Sequence, residues 1–230
     1  MPVIAIQGIR GGVGASAVTA GLAWALQSLG ERVLVVDASP SNLLRLHFNV
    51  PFDDGRGWAE AGQAGRPWQQ AALRYLPGLD LLPFGHSDTG TLPDVAALAR
   101  AGHYQWVLLD TPSGSDPLVW QALAQADRLL RVLAPDANCH ARLHQQPTAP
   151  QSVLLVNQFS PTSQLQQDLL LLWQHSLTGL VPVTLHRDEA VSEALAAKQP
   201  VGEYRPQSLA ANEMVILANW CLINLKGGTA

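Results

Sequence analysis

The segment Gly8-Ile9-Arg10-Gly11-Gly12-Val13-Gly14-Ala15-Ser16-Ala17 decides how the rest of the chain is interpreted. It follows the apolar run Val3–Gln7 and leads into a helical pattern that continues to Leu29. Four glycines let the backbone curl into a nest of inward-pointing N–H groups, reinforced by the positive end of the helix dipole. Such a nest binds phosphate groups. A plain strand-to-helix turn is the alternative, and it is disfavoured because Ser16 stands where a hydroxyl binds Mg²⁺.

Short apolar runs, several of them ending in a polar or acidic residue, recur along the chain and indicate buried parallel strands. The runs are Val3–Gln7, Val33–Asp37, Leu79–Leu82, Trp106–Asp110, Leu129–Leu133 and Val153–Asn157, with a further short strand near Val183–Leu185. Helical patterns alternate with them over Ser16–Leu29, Val95–Ala101, Leu118–Gln125, Leu165–Trp173, Glu189–Lys198 and Ser208–Leu222. This alternation predicts an α/β fold with a single doubly wound, mostly parallel sheet and helices on both faces. Ligands of such sheets bind at the carboxyl ends of the strands.

Length and composition predict one globular domain over residues 1–230. The chain is 47% hydrophobic and 14% charged, enough for one substantial core and too short for two ordinary domains. Two stretches rich in glycine and proline, Asp53–Pro67 and Pro83–Pro93, are interpreted as surface excursions and not as linkers between domains.

Charge, cysteine content and hydropathy limit the partners and the compartment. The net charge is −4 and the 14 basic residues are scattered, which argues against nucleic acid as a partner. Cys139 and Cys221 lie far apart without metal-ligand spacing, and no signal peptide precedes the first strand, so a cytoplasmic location is predicted. No apolar run approaches the roughly 20 residues of a membrane helix, so any association with a membrane is expected to be indirect and peripheral.

The glycine loop resembles the deviant Walker A motif of the MinD/ParA ATPases, Lys-Gly-Gly-x-Gly-Lys-[Ser/Thr]. The resemblance implies a P-loop protein that binds ATP and Mg²⁺ and forms a homodimer with ATP sandwiched between the subunits. Arg10 stands in place of the first lysine, which reaches the partner's nucleotide, and its planar cation suits a phosphate. Ala15 replaces the second lysine, so phosphate binding must rely on backbone amides, Mg²⁺ and Arg10. The implied nucleotide contacts of the loop are Gly11, Gly12, Val13, Gly14, Ala15, Ser16 and Ala17.

Two further strand ends resemble the family's acidic motifs. Asp37 matches the first aspartate of Asp-x-Asp-Pro, a carboxylate near Mg²⁺ that helps to position the attacking water, whereas Ser39 replaces the second. Asp110 resembles the Walker B aspartate, which holds a water of the Mg²⁺ shell. The resemblance therefore implies a metal site made of Ser16, Asp37 and Asp110, with Asp37 and Arg10 as the catalytic groups. Because a serine hydroxyl cannot act as a carboxylate base, slow or absent hydrolysis is expected.

The base-binding side is implied by two more segments. Asn157 ends a strand that resembles the one whose asparagine bonds the adenine edge, although alone it would indicate a turn. His186, Arg187 and Asp188 match the stretch Ile-Pro-Arg-Asp, which packs along the base, with His186 at the proline. A stacking imidazole and an ordinary surface histidine are both compatible with that position.

Longer strings resemble the cellulose-biosynthesis branch of this family. They are Arg10–Gly14, Asn42–Leu46, Asp136–His140, Arg142–Gln146, His186–Ala190 and Lys198–Tyr204. The resemblance implies an ATP-dependent dimer that associates with two partner proteins, BcsR and BcsE, and supports assembly or control of the inner-membrane cellulose synthase. The alternatives are an actively hydrolysing ATPase that positions cargo on a membrane or nucleoid, and a DNA-binding partition ATPase, against which the charge argues.

Two sets of side chains suggest sites but are interpreted as structural. His140 and His144 share a helical face beside Cys139, yet no third metal ligand is evident, so a surface helix that meets a partner protein is preferred. Trp58 and Trp68 lie in a glycine-rich stretch and invite an interface, but core packing remains the default interpretation.

Overall fold

The structure, a computed structural model, describes residues 1–87, 90–95, 103–146 and 151–226. Within these residues eight strands form one sheet: β1 Val3–Gly8, β2 Val33–Asp37, β3 Leu73–Leu76, β4 Leu79–Leu82, β5 Trp106–Thr111, β6 Arg128–Leu133, β7 Ser152–Phe159 and β8 Leu180–His186. Their order across the sheet is β3-β4-β2-β5-β1-β6-β7-β8. Strand β3 runs antiparallel to β4, and every other neighbouring pair is parallel.

The connections carry helices. In the described residues these are α1 Ala15–Ser28, α2 Trp58–Gln63, α3 Pro117–Gln125, α4 Ala137–Gln145, α5 Gln164–Ser176, α6 Glu189–Ala196, α7 Val201–Tyr204 and α8 Leu209–Asn224, with 3₁₀ helices at Leu44–Phe48 and Trp68–Ala71. Asp116, Asp136, Ser163, Asp188 and Ser208 cap α3, α4, α5, α6 and α8 through their side chains. Each cap satisfies a backbone N–H that the first helical turn leaves free.

Two apolar layers cover the two faces of the sheet. Along β1, Ile4 and Ile6 belong to the core layer that holds α1 and α8, and the alternate residues Val3 and Ala5 belong to the layer that holds α2 and α3. Successive side chains of a strand point to opposite faces, so both faces of β1 are buried. The fold is therefore the predicted doubly wound, mostly parallel sheet with helices on both sides.

The predicted parallel strands are confirmed, and the short strand near Val183–Leu185 is longer than predicted. The edge strand Leu73–Leu76 was missed because four residues are too few for a reliable periodic signal. The predicted helix Val95–Ala101 lies, beyond Val95, outside the described residues.

The prediction that Asp53–Pro67 and Pro83–Pro93 are surface excursions is wrong for Trp58 and Phe84. Trp58 is 2% exposed and Phe84 is fully buried, and their rings pack edge to face. The two backbones touch at Gly57, whose absent Cβ would lie 2.1 Å from the Gly85 nitrogen. The Trp58 ring N–H also donates to the Asp37 carbonyl at 2.8 Å, so this packing supports the loop that follows β2. Core packing of Trp58 is confirmed.

Candidate functional site

A cavity of about 630 Å³ opens at the carboxyl ends of β1, β2 and β5. The loop that leaves β1 forms its floor, and the loops after β2 and β5 form two of its walls. Val191, Ser192 and Leu195 of α6 complete the lining on the remaining side. The sequence placed the chemistry at strand ends, and the cavity lies there.

The glycine loop presents an array of free backbone donors to this cavity. Gly12 and Gly14 adopt left-handed φ values of 81° and 86°. Gly14 caps α1 without a side-chain hydrogen bond. Within the described residues, the backbone N–H groups from Gly11 to Ala17 donate to no protein acceptor. Free N–H groups that converge at the start of a helix, where its dipole is positive, are suited to an anion.

The loop is held in shape from the end of β7. The Asn157 side-chain amide donates to the Val13 carbonyl at 2.8 Å, and the Gln158 amide donates to the Gly12 carbonyl at 3.1 Å. Gln158 itself adopts a left-handed φ of 61°. Asn157 therefore contacts the floor of the cavity from behind and does not line it, which sequence reasoning had not anticipated.

Ser16 and Asp110 meet at the inner end of the cavity. The Ser16 hydroxyl donates to Asp110 Oδ2 at 2.7 Å, and the Thr19 hydroxyl lies 3.3 Å from Oδ1. Burial raises the pKa of Asp110 to about 6, and the two hydroxyl hydrogen bonds oppose that rise. A hydroxyl beside a carboxylate is a donor set that Mg²⁺ favours.

Asp37 is fully buried next to Asp110 and shapes the loop after β2. Their Cα atoms are register partners in β2 and β5. The Asp37 carboxylate accepts from the Ser39 N–H at 2.9 Å and from the Leu44 N–H at 3.2 Å. Burial, and then the negative charge of Asp110, hold the pKa of Asp37 well above its usual range. Asp37 does not itself line the cavity, whereas Ser39 and Ser41, whose hydroxyls lie 2.8 Å apart, do.

Arg10 lines the cavity but is engaged within its own chain. Its guanidinium forms an ion pair with Asp136, and Nη1 donates to the Gly11 carbonyl at 2.7 Å. Asp136 also caps α4 through the Cys139 N–H. The hydrogen bond that the Arg10 guanidinium donates to the Asp136 carboxylate raises the pKa of Arg10. Sequence reasoning missed Asp136, although an aspartate before a helical pattern is a recognisable cap.

The segment from His186 to Asp188 lies beyond the cavity lining. The His186 imidazole and backbone N–H both contact Glu213, and Arg187 is exposed. The Asp188 carboxylate accepts from the N–H groups of Ala190 and Ala210, each at 3.0 Å. These contacts fix the loop between β8 and α6.

His47 is a cavity residue that the sequence did not single out. It is 6% exposed and lies in the 3₁₀ helix after β2, where it lines the cavity together with Leu46 and with residues of α6. Burial lowers the pKa of the His47 imidazole to about 4, so the ring is neutral at pH 7. A lone histidine between apolar residues gives no periodic signal, which is why only the structure reveals it.

His47 should make the protein sensitive to acid. Its pKa when folded, about 4, lies below the ordinary value of about 6.5, so below pH 6.5 the unfolded chain binds a proton that the folded chain does not. The free energy of unfolding should therefore fall by about 2 kcal/mol between about pH 7.5 and 5 on account of His47. Urea unfolding at several pH values should show that His47→Phe removes this loss. An identical pH dependence in both proteins would contradict the assignment. The raised pKa values of Asp37 and Asp110 increase the free energy of unfolding as the pH falls. This contribution is the same in the wild type and in His47→Phe, so it cancels in the comparison.

The histidine pair on α4 has a structural explanation. The His140 ring accepts a hydrogen bond from the Trp173 indole at 3.2 Å and packs edge to face on His144, while Cys139 is buried. No group of three metal-binding side chains occurs in the part of the chain that the structure describes. Likewise, none of the described helices combines the length and the hydropathy required to span a bilayer.

Comparison with known proteins identifies the family. The family model described as "Cellulose biosynthesis protein BcsQ" matches residues 1–222. The chain belongs to the BcsQ family. The BcsQ of Escherichia coli K12 is 49% identical over 242 residues, an alignment that covers 99% of this chain and 96% of that protein. BcsQ of Salmonella typhimurium is 48% identical over 241 residues, with the same coverage.

Solved structures place the BcsQ-family chain in the MinD/ParA fold. MinD of Pyrococcus horikoshii, which was solved as a complex with Mg-ADP, superposes with a TM-score of 0.79 at 20% identity over 99% of each chain. The MinC:MinD complex of Aquifex aeolicus gives a TM-score of 0.82 at 19% identity over 96% of each chain. At this identity the likeness establishes the fold, and the sequence match establishes the family.

Proposed function

We propose that this protein is an ATP-binding, dimerising switch that supports assembly or regulation of the bacterial cellulose synthase complex. The observation that carries the proposal is the row of unpaired N–H groups from Gly11 to Ala17 on the cavity floor. Such a row compensates phosphate charge without a lysine side chain, which suits a loop that has Ala15 at the position of the second lysine. The fold relative from Pyrococcus horikoshii, which holds Mg-ADP, supports the same ligand class.

The donors at the inner end of the cavity fit Mg²⁺. Ser16 and Asp110 supply a hydroxyl and a carboxylate, and the Asp37 carboxylate lies beside Asp110. Bound Mg²⁺ would neutralise phosphate charge and orient the terminal phosphate. Ser39 contributes a hydroxyl where a carboxylate would orient water, so we propose slow or absent hydrolysis, with Asp37 and Arg10 as the catalytic groups.

The base would lie on the β7 and β8 side of the phosphate loop. Asn157 keeps its carbonyl oxygen for an adenine amino group while its amide donor holds Val13. His186 and Arg187 would border the base, and Asp188 would fix their loop through its two helix caps. Contact with the base is thus proposed for Asn157, His186 and Arg187, and a positioning role for Asp188.

The partners follow from family membership. We propose a homodimer around two nucleotides that associates with BcsR and BcsE in the cytoplasm and reaches the inner membrane only through these proteins. The net charge of −4 argues against nucleic acid as a partner. A turning-over ATPase that positions cargo is the competing function, and a clear rate of phosphate release abolished by Asp37→Ala would favour it.

The test of the proposal combines binding and assembly. Calorimetry with a Mg²⁺-bound, non-hydrolysable ATP analogue should show binding, and sizing should show a dimer that forms only with the analogue. Arg10→Ala should weaken dimerisation at least about tenfold, because it removes a charged hydrogen-bond donor for the partner's phosphate.

The matched control is Arg74→Ala, which removes a 74% exposed arginine at the sheet edge and should leave assembly unchanged. Folded protein that retains no adenine or guanine nucleotide would overturn the proposed function. Equal dimerisation of Arg10→Ala would remove Arg10 alone from the mechanism.

A further inference from the structure

His47 is a buried polar side chain that lacks a protein partner. The residue is 6% exposed, and within the described residues neither ring nitrogen makes a hydrogen bond to protein. Neither nitrogen is among the fully buried unpaired polar atoms of the described residues, such as Arg10 Nε and Asn42 Oδ1, so both are accessible to water or a ligand. The ring lines the cavity, so the partner that it lacks would be found there.

The position of His47 in the cavity indicates which part of a ligand it would meet. The lining around it comes from the loop after β2, including Ser39 and Ser41, and from the loop after β5. Asn157 and the segment from His186 to Asp188, on the proposed base side, line no part of this cavity. His47 therefore shares its cavity with the free N–H groups of the glycine loop and not with the proposed base contacts.

The surroundings of His47 strengthen any hydrogen bond that it makes. Leu43, Leu46, Val191 and Leu195 give this wall an apolar surface. A hydrogen bond to a charged acceptor is stronger where water is excluded. Because the ring is neutral, one nitrogen always carries a proton and donates, whichever tautomer is present. The phosphate loop has Ala15 where the family has a lysine, so a further donor in the same cavity would compensate part of the phosphate charge.

We propose that His47 donates a hydrogen bond to the terminal phosphate of a bound nucleoside triphosphate, and so makes the protein distinguish triphosphates from diphosphates. The inference rests on the proposed nucleotide-binding function and adds a specificity-determining residue to that site. A diphosphate has no group at that position, so its affinity does not depend on the ring.

The experiment measures the dissociation constants of an ATP analogue and of ADP, both with Mg²⁺, for the wild type, His47→Phe and His47→Asn. Phenylalanine keeps the ring volume and removes the donor, and asparagine restores a donor near Nδ1. His47→Phe should weaken the triphosphate about tenfold relative to ADP, the usual effect of losing a hydrogen bond to a charged group. His47→Asn should recover part of the lost preference for the ATP analogue over ADP. His175→Phe, which changes an exposed histidine on α5, is the control and should leave both constants unchanged.

The outcomes separate this inference from the function on which it rests. If the wild type binds both nucleotides and His47→Phe keeps their affinity ratio, the proposed contact is wrong while nucleotide binding stands. If folded wild type binds neither nucleotide, the function itself fails. If His47→Phe folds poorly, His47→Asn is compared with the wild type instead. A smaller preference of His47→Asn for the ATP analogue over ADP supports the contact, and an unchanged preference overturns it.

Discussion

Gly14→Val should lower the affinity for nucleotide by about a hundredfold or more, because it disrupts both the backbone and the packing of the phosphate loop. Gly14 has a φ of 86°, a conformation that a β-branched residue rarely adopts. A Cβ at this position would lie 2.6 Å from the Asn157 amide nitrogen. Either the loop or the Asn157 side chain must then move, and either movement breaks the hydrogen bond that holds Val13. The strained backbone at residue 14 would also turn the N–H groups of the loop away from the cavity.

Calorimetry with a Mg²⁺-bound ATP analogue measures this effect, and Gly30→Val is its matched control. Gly30 also has a left-handed φ, 91°, but nothing lies within 4 Å of the position that a Cβ would occupy, and the residue is remote from the cavity. This control should lose about 1–2 kcal/mol of stability and keep its nucleotide affinity. Near-normal affinity in Gly14→Val would mean that the loop geometry is not what binds phosphate.

Gly57→Val should destabilise the protein by about 3–5 kcal/mol, which approaches the total stability of many domains. The reason is a clash with backbone, since a Cβ would lie 2.1 Å from the Gly85 nitrogen and 2.2 Å from the Phe84 carbonyl carbon. Separating the two segments breaks the hydrogen bonds Trp58 N–H to Pro83 and Ala59 N–H to Phe84. It also exposes the buried Trp58 ring.

Urea unfolding followed by tryptophan fluorescence measures the loss. Gly62→Ala is the control in the same helix, because nothing lies within 4 Å of the added methyl group. That substitution should raise stability by about 0.5–1 kcal/mol, as replacing a helical glycine usually does. If Gly57→Val were as stable as the wild type, the close approach of the two segments would not exist in solution.

The parallel part of the fold was predictable because its buried strands are short, mostly apolar runs, and several of these runs end in a polar residue. Val33–Asp37 and Trp106–Thr111 are examples, and their ends supply Asp37 and Asp110 at adjacent positions. The glycine loop was predictable as well, since its glycines and Ser16 are consecutive in sequence. Features encoded within ten residues of each other were therefore accessible from the sequence.

Features that depend on residues far apart in the sequence could not be predicted. Asn157 holds Val13 from 144 positions away, and Asp136 meets Arg10 from 126 positions away. No local pattern records such pairs. His47 looks like any isolated histidine until the fold places it against the cavity. Trp58 is buried beside a close backbone contact between Gly57 and Gly85. From composition alone, a stretch rich in glycine is predicted to be a surface loop.

The single carboxylate of Asp188 joins the start of α6 to the start of α8, and this gives the order of synthesis a consequence. The phosphate loop is synthesised nearly two hundred residues before the N–H of Ala210 that secures the α6 wall. We therefore expect a nascent chain to acquire a complete nucleotide pocket only after α8 has been synthesised. Loss of α8 would damage the α6 wall of the cavity, although no residue of α8 lines that cavity.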